Sequence, residues 1–215
     1  MGGEKADIEI HDPPYGIRLD TDWSAAKSRL DFAAEKRVFG GKKYKPITGD
    51  FVDYDPGFLF DRDLPNEMFL WGADYYAEKI PNRNAGSWLI WDKRIDDSAD
   101  RMYGSAFEMC WSLSRHKRDF IRVKWAGIFG TEKEPDRQRF HPTQKPVLVY
   151  EFILNRYSNE GDISADFYLG AGSHLIACEN LNRKCRAVEI SSAYVSVSLQ
   201  RFLDHTGIQP VLLSE

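Results

Sequence analysis

One continuous run, residues 163–190, constrains the fold more than any other part of the chain. The apolar stretch 163–169 predicts a strand, Gly170-Ala171-Gly172 predicts a tight turn that opens a helix, and residues 185–190 predict a second strand. A strand that returns parallel to its neighbour needs a crossover connection of this kind. The run therefore predicts one unit of an α/β fold with parallel strands.

The same alternation of strands and helices extends over most of the chain. Further strands are predicted at 7–11, 68–71, 87–91, 107–112 and 208–213, and further helices at 23–36, 73–79, 147–157 and 193–204. Strands that alternate with helices favour a doubly wound, mostly parallel sheet. The length of 215 residues fits one globular domain with loop insertions.

The glycine turn and the acidic residue after it are typical of a nucleotide site. Gly170 and Gly172 have no Cβ, so the backbone can approach a ligand closely. Glu189, at the end of the next strand, can accept hydrogen bonds from two ribose hydroxyls. A dinucleotide fingerprint would have a third glycine at position 175, where Leu175 stands instead. This disfavours a nicotinamide oxidoreductase, whereas a purely structural glycine turn stays open.

Asp12-Pro13-Pro14-Tyr15 follows the first predicted strand, at a strand end where open α/β sheets bind ligands. Two consecutive prolines stiffen the turn and remove two backbone donors, which suits a positioned acceptor. The exocyclic amine of adenine or cytosine is a poor nucleophile because its lone pair is delocalised into the ring. The Asp12 carboxylate and the Pro13 carbonyl could accept its two N–H groups, and Tyr15 could stack on a flipped base. A turn with a packed tyrosine is the alternative.

Composition narrows the class of protein. The net charge of −4 does not mark a nucleic-acid-binding protein, but residues 101–139 carry nine Lys or Arg against five Asp or Glu. This excess indicates either a nucleic-acid surface or a solvated face. Three scattered cysteines without a CxxC pair argue against a disulfide framework and a zinc site. With neither a signal peptide nor a run of about 20 apolar residues, we expect an intracellular, cytoplasmic protein.

Three segments in a particular order resemble a known family. Asp12-Pro13-Pro14-Tyr15, His141-Pro142-Thr143-Gln144-Lys145-Pro146 and the stretch 166–189 resemble, in this order, the permuted β-group of DNA amino-methyltransferases. The stretches 69–76 and 88–93 are similar to the phage and prophage branch of that family. The resemblance covers most of the chain and is weakest over 16–50 and 115–138. It implies a Rossmann-like, seven-stranded methyltransferase fold in permuted order.

The resemblance also implies an activity and its residues. The expected reaction is methyl transfer from S-adenosylmethionine to the exocyclic amine of a flipped base in double-stranded DNA. Because an aspartate heads the catalytic motif, adenine N6 is favoured over cytosine N4. The catalytic residues would be Asp12, Pro13, Pro14 and Tyr15, and the cofactor-binding residues would be Asp166, Tyr168, Gly170, Gly172, Glu189, Thr143 and Lys145. His141 would cap or pack, and direct transfer to nitrogen requires no metal.

The remaining segments are predicted to contact DNA. Within one methyltransferase domain of residues 1–215, we expect a mobile loop insertion at 16–65 and a short target-recognition insertion at 113–140. The predicted nucleic-acid-binding residues are Lys42, Lys43, Arg115, Lys117, Arg118, Arg122 and Lys124. A short recognition stretch predicts a small target sequence or a helping partner, and a homodimer is one arrangement that the sequence leaves open.

The sequence departs from the family pattern in ways that keep alternatives open. Phe167 stands where the glycine motif usually has proline, and His174 stands where it has threonine. The strand that usually precedes the catalytic motif has little room before Asp12, so we expect residues 208–213 to supply an edge strand. A cofactor-binding module without catalysis is one alternative. A protein-amide methyltransferase is another, although such enzymes carry Asn-Pro-Pro-Tyr after the glycine motif.

Overall fold

A computed structural model describes residues 4–22, 43–94, 105–124 and 140–213. Contacts within the chain divide it into two compact units, one of residues 1–13 and 55–215 and the other of residues 14–54. The helix predicted at 23–36 lies outside the described residues. All helices and strands named below belong to the larger unit.

A seven-stranded sheet forms the centre of the larger unit. Its strands are β1 (Ile8–His11), β2 (Glu67–Trp71), β3 (Ser87–Asp92), β4 (Phe107–Ser112), β5 (Asp119–Arg122), β6 (Ile163–Asp166) and β7 (Lys184–Ala187), in the order β5-β3-β4-β2-β1-β6-β7. All pairings are parallel except those of β4, which runs antiparallel to β2 and β3. The predicted mostly parallel α/β sheet is confirmed.

The helices of the larger unit are α1 (Gly57–Phe60), α2 (Val147–Tyr157), α3 (Ser173–Asn180) and α4 (Ser192–Thr206). Buried residues of α2 and α3 form one hydrophobic core with Ile8 and Ile10 of β1. Because side chains alternate along a strand, Glu9 and His11 project from the opposite face of the sheet, where both are buried as well. None of the helices in the described ranges is long and apolar enough to cross a membrane.

The six parallel strands end at one edge of the sheet, which we call the carboxyl edge. His11 pairs with Leu70, and β1 also pairs with β6, so the chain leaves these three strands side by side. Since β4 runs the opposite way, its first residues, Phe107 and Glu108, lie at the carboxyl edge. Its last residue, Ser112, lies at the other edge, which we call the amino edge. Ligands of open α/β sheets bind at the carboxyl edge.

Two local predictions differ from the structure, and one strand was not predicted. The strand predicted at 208–213 is not formed, and its apolar side chains Val211, Leu212 and Leu213 are exposed. An apolar stretch that neither joins a ladder nor packs gains nothing to offset its loss of chain entropy. The helix predicted at 73–79 is a turn at Gly72 followed by a 3-10 turn at Ala77–Lys79. The sequence did not predict β5, because Ile121 is its one buried residue.

Candidate active site at the carboxyl edge

Asp12 and Lys145 meet at the carboxyl edge although they lie 133 positions apart along the chain. Asp12 directly follows β1, and Lys145 lies two residues before α2. The Lys145 ammonium donates a hydrogen bond to Asp12 Oδ1 over 2.5 Å, and its side chain is only 2% exposed. It also lies 5.1 Å from the centre of the Trp71 ring, at the end of β2. The structure therefore brings two of the predicted site residues into direct contact.

The segment before α2 is held so that Lys145 points inward. Gln144 accepts a hydrogen bond from the Phe140 N–H through Oε1, and its own N–H donates to the His141 carbonyl. The Thr143 hydroxyl lies 3.1 Å from His141 Nδ1. The His141 ring packs edge-on against Tyr194 of α4. His141 therefore has packing and hydrogen-bonding partners of the kind expected for a structural residue.

Glu108 joins the same cluster from β4. Its Oε2 lies 3.0 Å from the Lys145 ammonium, and its Oε1 forms an ion pair with Lys93, just after β3. Burial raises the pKa of Glu108, but the ammonium groups of Lys145 and Lys93 outweigh it and hold that pKa at about 2. Burial lowers the pKa of Lys145, yet Asp12 and Glu108 together raise it above its ordinary value. Glu108 is thus a carboxylate and Lys145 an ammonium at neutral pH.

A second buried polar network lies beneath the glycine turn. Asp166, at the end of β6, accepts hydrogen bonds from His174 Nδ1 over 3.2 Å and from the Tyr168 N–H over 2.8 Å. His174 Nε2 lies 2.8 Å from the Ser164 hydroxyl, and its ring stacks on Tyr150. Burial raises the pKa of Asp166, but His11 and His174 lower it to about 2. His174 therefore partners the buried aspartate.

A further ion pair continues this network across β1. His11 Nε2 lies 2.9 Å from Glu9 Oε2, so the ring nitrogen donates to the carboxylate. Arg62 contacts both oxygens of Glu9, one over 2.7 Å. The Phe167 N–H donates to His11 Nδ1 over 3.3 Å, and the two rings are stacked. Phe167, where the family pattern has proline, thus binds the residue next to Asp12 through its side chain and its N–H.

The glycine turn has the backbone geometry that a close ligand approach requires. Gly170 has φ +55°, and a Cβ there would meet nothing nearer than the Tyr168 carbonyl at 3.9 Å. The space beside this residue is therefore open. Glu189 folds back on the turn: its Oε2 accepts from the Gly170 N–H over 2.7 Å, and its Oε1 accepts from the Ser191 N–H over 2.8 Å. Each carboxylate oxygen keeps a second lone pair for a ligand hydroxyl.

Both the backbone conformation and the packing against α4 require glycine at position 172. It has φ +85°, and a Cβ would lie 2.7 Å from Ser198 Cβ of α4. Arg201 of α4 also donates to the Ala171 carbonyl, and its guanidinium lies over the Phe140 ring. Helix α4 therefore fixes both the glycine turn and the segment that carries Lys145.

We expect Gly172→Ala to reduce the free energy of unfolding by about 2–5 kcal/mol. About 1–2 kcal/mol comes from left-handed backbone, and about 1–3 kcal/mol comes from overpacking against Ser198. Gly161→Ala is the matched control, since Gly161 has φ +84° but nothing within 4 Å of its Cβ. Urea unfolding of both variants measures the difference. Equal losses would show that packing against Ser198 contributes nothing.

Pro14 and Tyr15 belong to the smaller unit, whose chain begins at Pro14. Inside that unit Asp50 organises the stretch after Tyr15, because its carboxylate accepts hydrogen bonds from the N–H groups of Gly16, Ile17 and Leu19. Tyr15 is partly buried. Its predicted role against a base stays a prediction.

The predicted nucleic-acid-binding residues do not lie on one surface. Arg115, Lys117 and Arg118 are exposed in the loop between β4 and β5, which lies at the amino edge, away from Asp12. Arg122 and Lys124 are exposed at the carboxyl end of β5, and Lys43 is paired with Asp22 in the smaller unit. Lys42 lies outside the described residues. The antiparallel direction of β4 is the reason for this separation.

Several residues of the site were not predicted from the sequence. Glu108 sits in an otherwise apolar strand, and a charged residue there was a signal that could have found it. A buried histidine directly before Asp12 was another. Among the described residues, no group of three His, Cys, Asp or Glu side chains could hold a metal ion.

Comparisons with known proteins show which families and relatives have a similar sequence. A family model described as DNA methylase matches residues 66–200. The Type II methyltransferase M.HpaI of Haemophilus parainfluenzae is 39% identical over 91% of this chain and 67% of its own length. The Type II methyltransferase M2.DpnII of Streptococcus pneumoniae is 25% identical over 53% of this chain and 40% of its own length.

Two solved structures share the fold. The PvuII DNA methyltransferase (cytosine-N4-specific) superposes with a TM-score of 0.59 at 13% identity, covering 94% of this chain and 81% of its own. The putative DNA modification methylase TTHA0409 of Thermus thermophilus, in complex with S-adenosyl-L-methionine, superposes with a TM-score of 0.50 at 15% identity, covering 97% and 92%. The Rossmann-like methyltransferase fold that the resemblance implied is confirmed.

Proposed function

This chain belongs to the DNA methylase family, and we propose that it transfers a methyl group from S-adenosylmethionine to the N6 amine of adenine in double-stranded DNA. The observation that carries the proposal is the meeting of distant segments at the carboxyl edge. Asp12 contacts Lys145 there, and the strands that lead to Asp12 and Asp166 are direct neighbours. A restriction–modification role fits the Type II methyltransferases to which the chain is similar.

The glycine turn fits S-adenosylmethionine, which when bound supplies an electrophilic methyl group on a sulfonium. The open space at Gly170 lets a ligand approach the backbone. Glu189, already turned toward that residue, would accept the ribose hydroxyls. Asp166 and Tyr168 would line the methionine end, Gly172 would shape the turn, and Thr143 would close over it. The backbone of Lys145 would belong to the same segment, while its ammonium is held by Asp12 and Glu108.

The catalytic strand end would prepare the amine for attack. Asp12 and the Pro13 carbonyl would accept its two N–H groups, which favours a pyramidal nitrogen with an available lone pair. Pro14 keeps the turn stiff, and Tyr15 would stack on the flipped base. The new N–C bond would form as the methyl–sulfur bond of the sulfonium breaks and leaves a neutral thioether. The nitrogen would then give up a proton, which Asp12 can accept and pass to water. A positioned carboxylate of this kind contributes through proximity and electrostatics.

Adenine rather than cytosine is proposed because an aspartate heads the catalytic motif. Cytosine N4 is the second candidate, and a module that binds the cofactor without catalysis is the third. Contact with DNA is assigned to the exposed cations Arg122 and Lys124 at the carboxyl edge, since Lys and Arg bind phosphates. Arg115, Lys117 and Arg118 would contact DNA only if it also reached the amino edge.

A nucleoside digest tests the proposed reaction. The protein is incubated with methyl-labelled S-adenosylmethionine and unmethylated duplex DNA, and the product is digested to nucleosides. We expect label in N6-methyladenine that depends on the protein. Label in N4-methylcytosine would select the second candidate.

Asp12→Ala serves as the control for contaminating activity. We expect it to incorporate no label while it still binds the cofactor in calorimetry. If wild type and Asp12→Ala incorporate equally little label, the proposed methyl transfer to DNA is refuted. Cofactor binding by such an inactive protein would identify the non-catalytic module.

A further inference from the structure

Glu108 occupies a position that the proposed reaction has not yet used. It is the second residue of β4, at the carboxyl edge, and its Oε2 atom is closed to solvent. That oxygen lies 3.0 Å from the Lys145 ammonium, which is its charge partner in the described part of the chain.

The same ammonium is already committed to a different carboxylate. Lys145 donates to Asp12 Oδ1 over 2.5 Å, the shorter of its two carboxylate contacts. One cation therefore lies between two anions, with a contact of 2.5 Å to Asp12 and a longer contact of 3.0 Å to Glu108. A shift of the ammonium by a fraction of an ångström toward Glu108 would exchange the two bonds.

Glu108 is itself held in place. Its Oε1 is paired with Lys93, whose ammonium lies 5.0 Å from the Trp91 ring centre. Because Oε1 is anchored, Oε2 stays directed at Lys145. The carboxylate also stays charged, since Lys145 and Lys93 keep its pKa at about 2. It is therefore a permanent negative charge, held in a fixed position beside Lys145.

We propose that Glu108 is a positioning residue that accepts Lys145 from Asp12 when the target amine arrives. The inference rests on the proposed function, in which Asp12 must accept an N–H of the amine. While Lys145 bonds to Asp12 Oδ1, that oxygen is a weaker acceptor for the substrate. Transfer of the ammonium to Glu108 restores the acceptor and keeps the cation paired, so no buried charge is left uncompensated.

Glu108→Gln tests the inference, because glutamine keeps the size of the side chain and removes its charge. We expect kcat to fall about 10- to 100-fold, as for a misplaced catalytic group, with KM for DNA and for S-adenosylmethionine changed less than threefold. Glu67→Gln is the matched control. Glu67 is also a buried glutamate of the sheet, but it lies at the amino edge and its Oε1 accepts backbone N–H groups of Met68 and Ser114.

The pH profile separates positioning from a merely structural role. Both Asp12 and Glu108 raise the pKa of Lys145, so loss of the Glu108 charge lets Lys145 deprotonate at lower pH than in the wild type. Cys110 also interacts with Lys145, and the other titratable groups that interact with Glu108 are Lys93, Asp74, Tyr75 and Tyr150. Burial raises the pKa of Cys110 and of both tyrosines. We therefore expect kcat of Glu108→Gln, relative to the wild type, to recover as the pH rises toward 10.

Each outcome decides the inference. A kcat of Glu108→Gln within threefold of the wild type overturns it, and so does an equal loss in Glu67→Gln. A loss without the alkaline recovery assigns Glu108 a structural role and also overturns it. If Glu108→Gln does not fold, Glu108→Asp replaces it, because aspartate draws the carboxylate back by one methylene. We expect Glu108→Asp to lower kcat about three- to tenfold at unchanged KM. A wild-type kcat in Glu108→Asp overturns the inference. An inactive wild type would instead refute the proposed function.

Discussion

Replacing Asp12 with asparagine is expected to lower kcat for methyl transfer at least about a hundredfold. Asparagine keeps the shape of the side chain and one carbonyl acceptor, but it loses the charge that strengthens a hydrogen bond to the amine. Removal of one positioned electrostatic group typically costs about 100- to 1,000-fold in kcat. Lys145, deprived of its 2.5 Å partner, is expected to move to Glu108, so the cluster keeps a paired cation.

The measurement is steady-state methylation of duplex DNA, together with calorimetry of S-adenosylmethionine binding. The dissociation constant for the cofactor should change less than threefold, because no cofactor residue is removed. Asp162→Asn is the matched control, since Asp162 lies before β6 at the amino edge, where it accepts the Asn159 N–H. A kcat for Asp12→Asn within threefold of that control would remove Asp12 from catalysis.

Asp166→Ala should have the largest effect on stability, a loss of about 3–5 kcal/mol in the free energy of unfolding. Asp166 is fully buried, and its removal leaves His174 Nδ1 and the Tyr168 N–H without their acceptor. Removing one member of a buried hydrogen-bonded network costs this much because the remaining polar groups are left unsatisfied. We also expect Asp166→Ala to lose cofactor binding, since Asp166 is proposed to line the methionine end of S-adenosylmethionine.

Urea unfolding at pH 7 measures the loss, with Asp204→Ala as the control. Asp204 is exposed and accepts a hydrogen bond from the Gln200 side chain of α4. Its removal should therefore change the free energy of unfolding by less than about 0.5 kcal/mol. The folded pKa of Asp166 is about 2, below its ordinary value of 3.8. Its stabilisation is therefore complete above about pH 4 and declines as the pH falls toward 2. A gap between wild type and Asp166→Ala that stays constant over this range would contradict the assignment.

His174 illustrates how a departure from a sequence pattern is accommodated. The family pattern has threonine at this position, and from the sequence alone the substitution bears on how tightly the cofactor is held. In the folded chain the imidazole is fully buried between Asp166 and the Ser164 hydroxyl and stacks on Tyr150. The histidine thus satisfies the same buried aspartate that is proposed to line the methionine end.

The sequence by itself determined the parts of the fold that depend on local pattern. The helix α2 and the strands β1 and β4 lie at or within a residue of their predicted limits, because apolar periodicity and prolines act over a few residues. It also predicted which segments meet at one edge, since strands that run parallel must end at the same edge. Asp12 and Asp166 were therefore predictable at the same edge once the sheet was predicted to be parallel, whereas the pairing of β1 with β6 is a finding of the structure.

Only the tertiary structure decided how the charges are paired and where the remaining segments go. The antiparallel direction of β4 carries Glu108 to Lys145 and carries Arg115 to the opposite edge. The apolar stretch 208–213 forms no strand, although its sequence favours one. Strand direction and the partners of a buried charge depend on contacts between residues far apart in the chain, and a pattern read over a few residues carries no information about them.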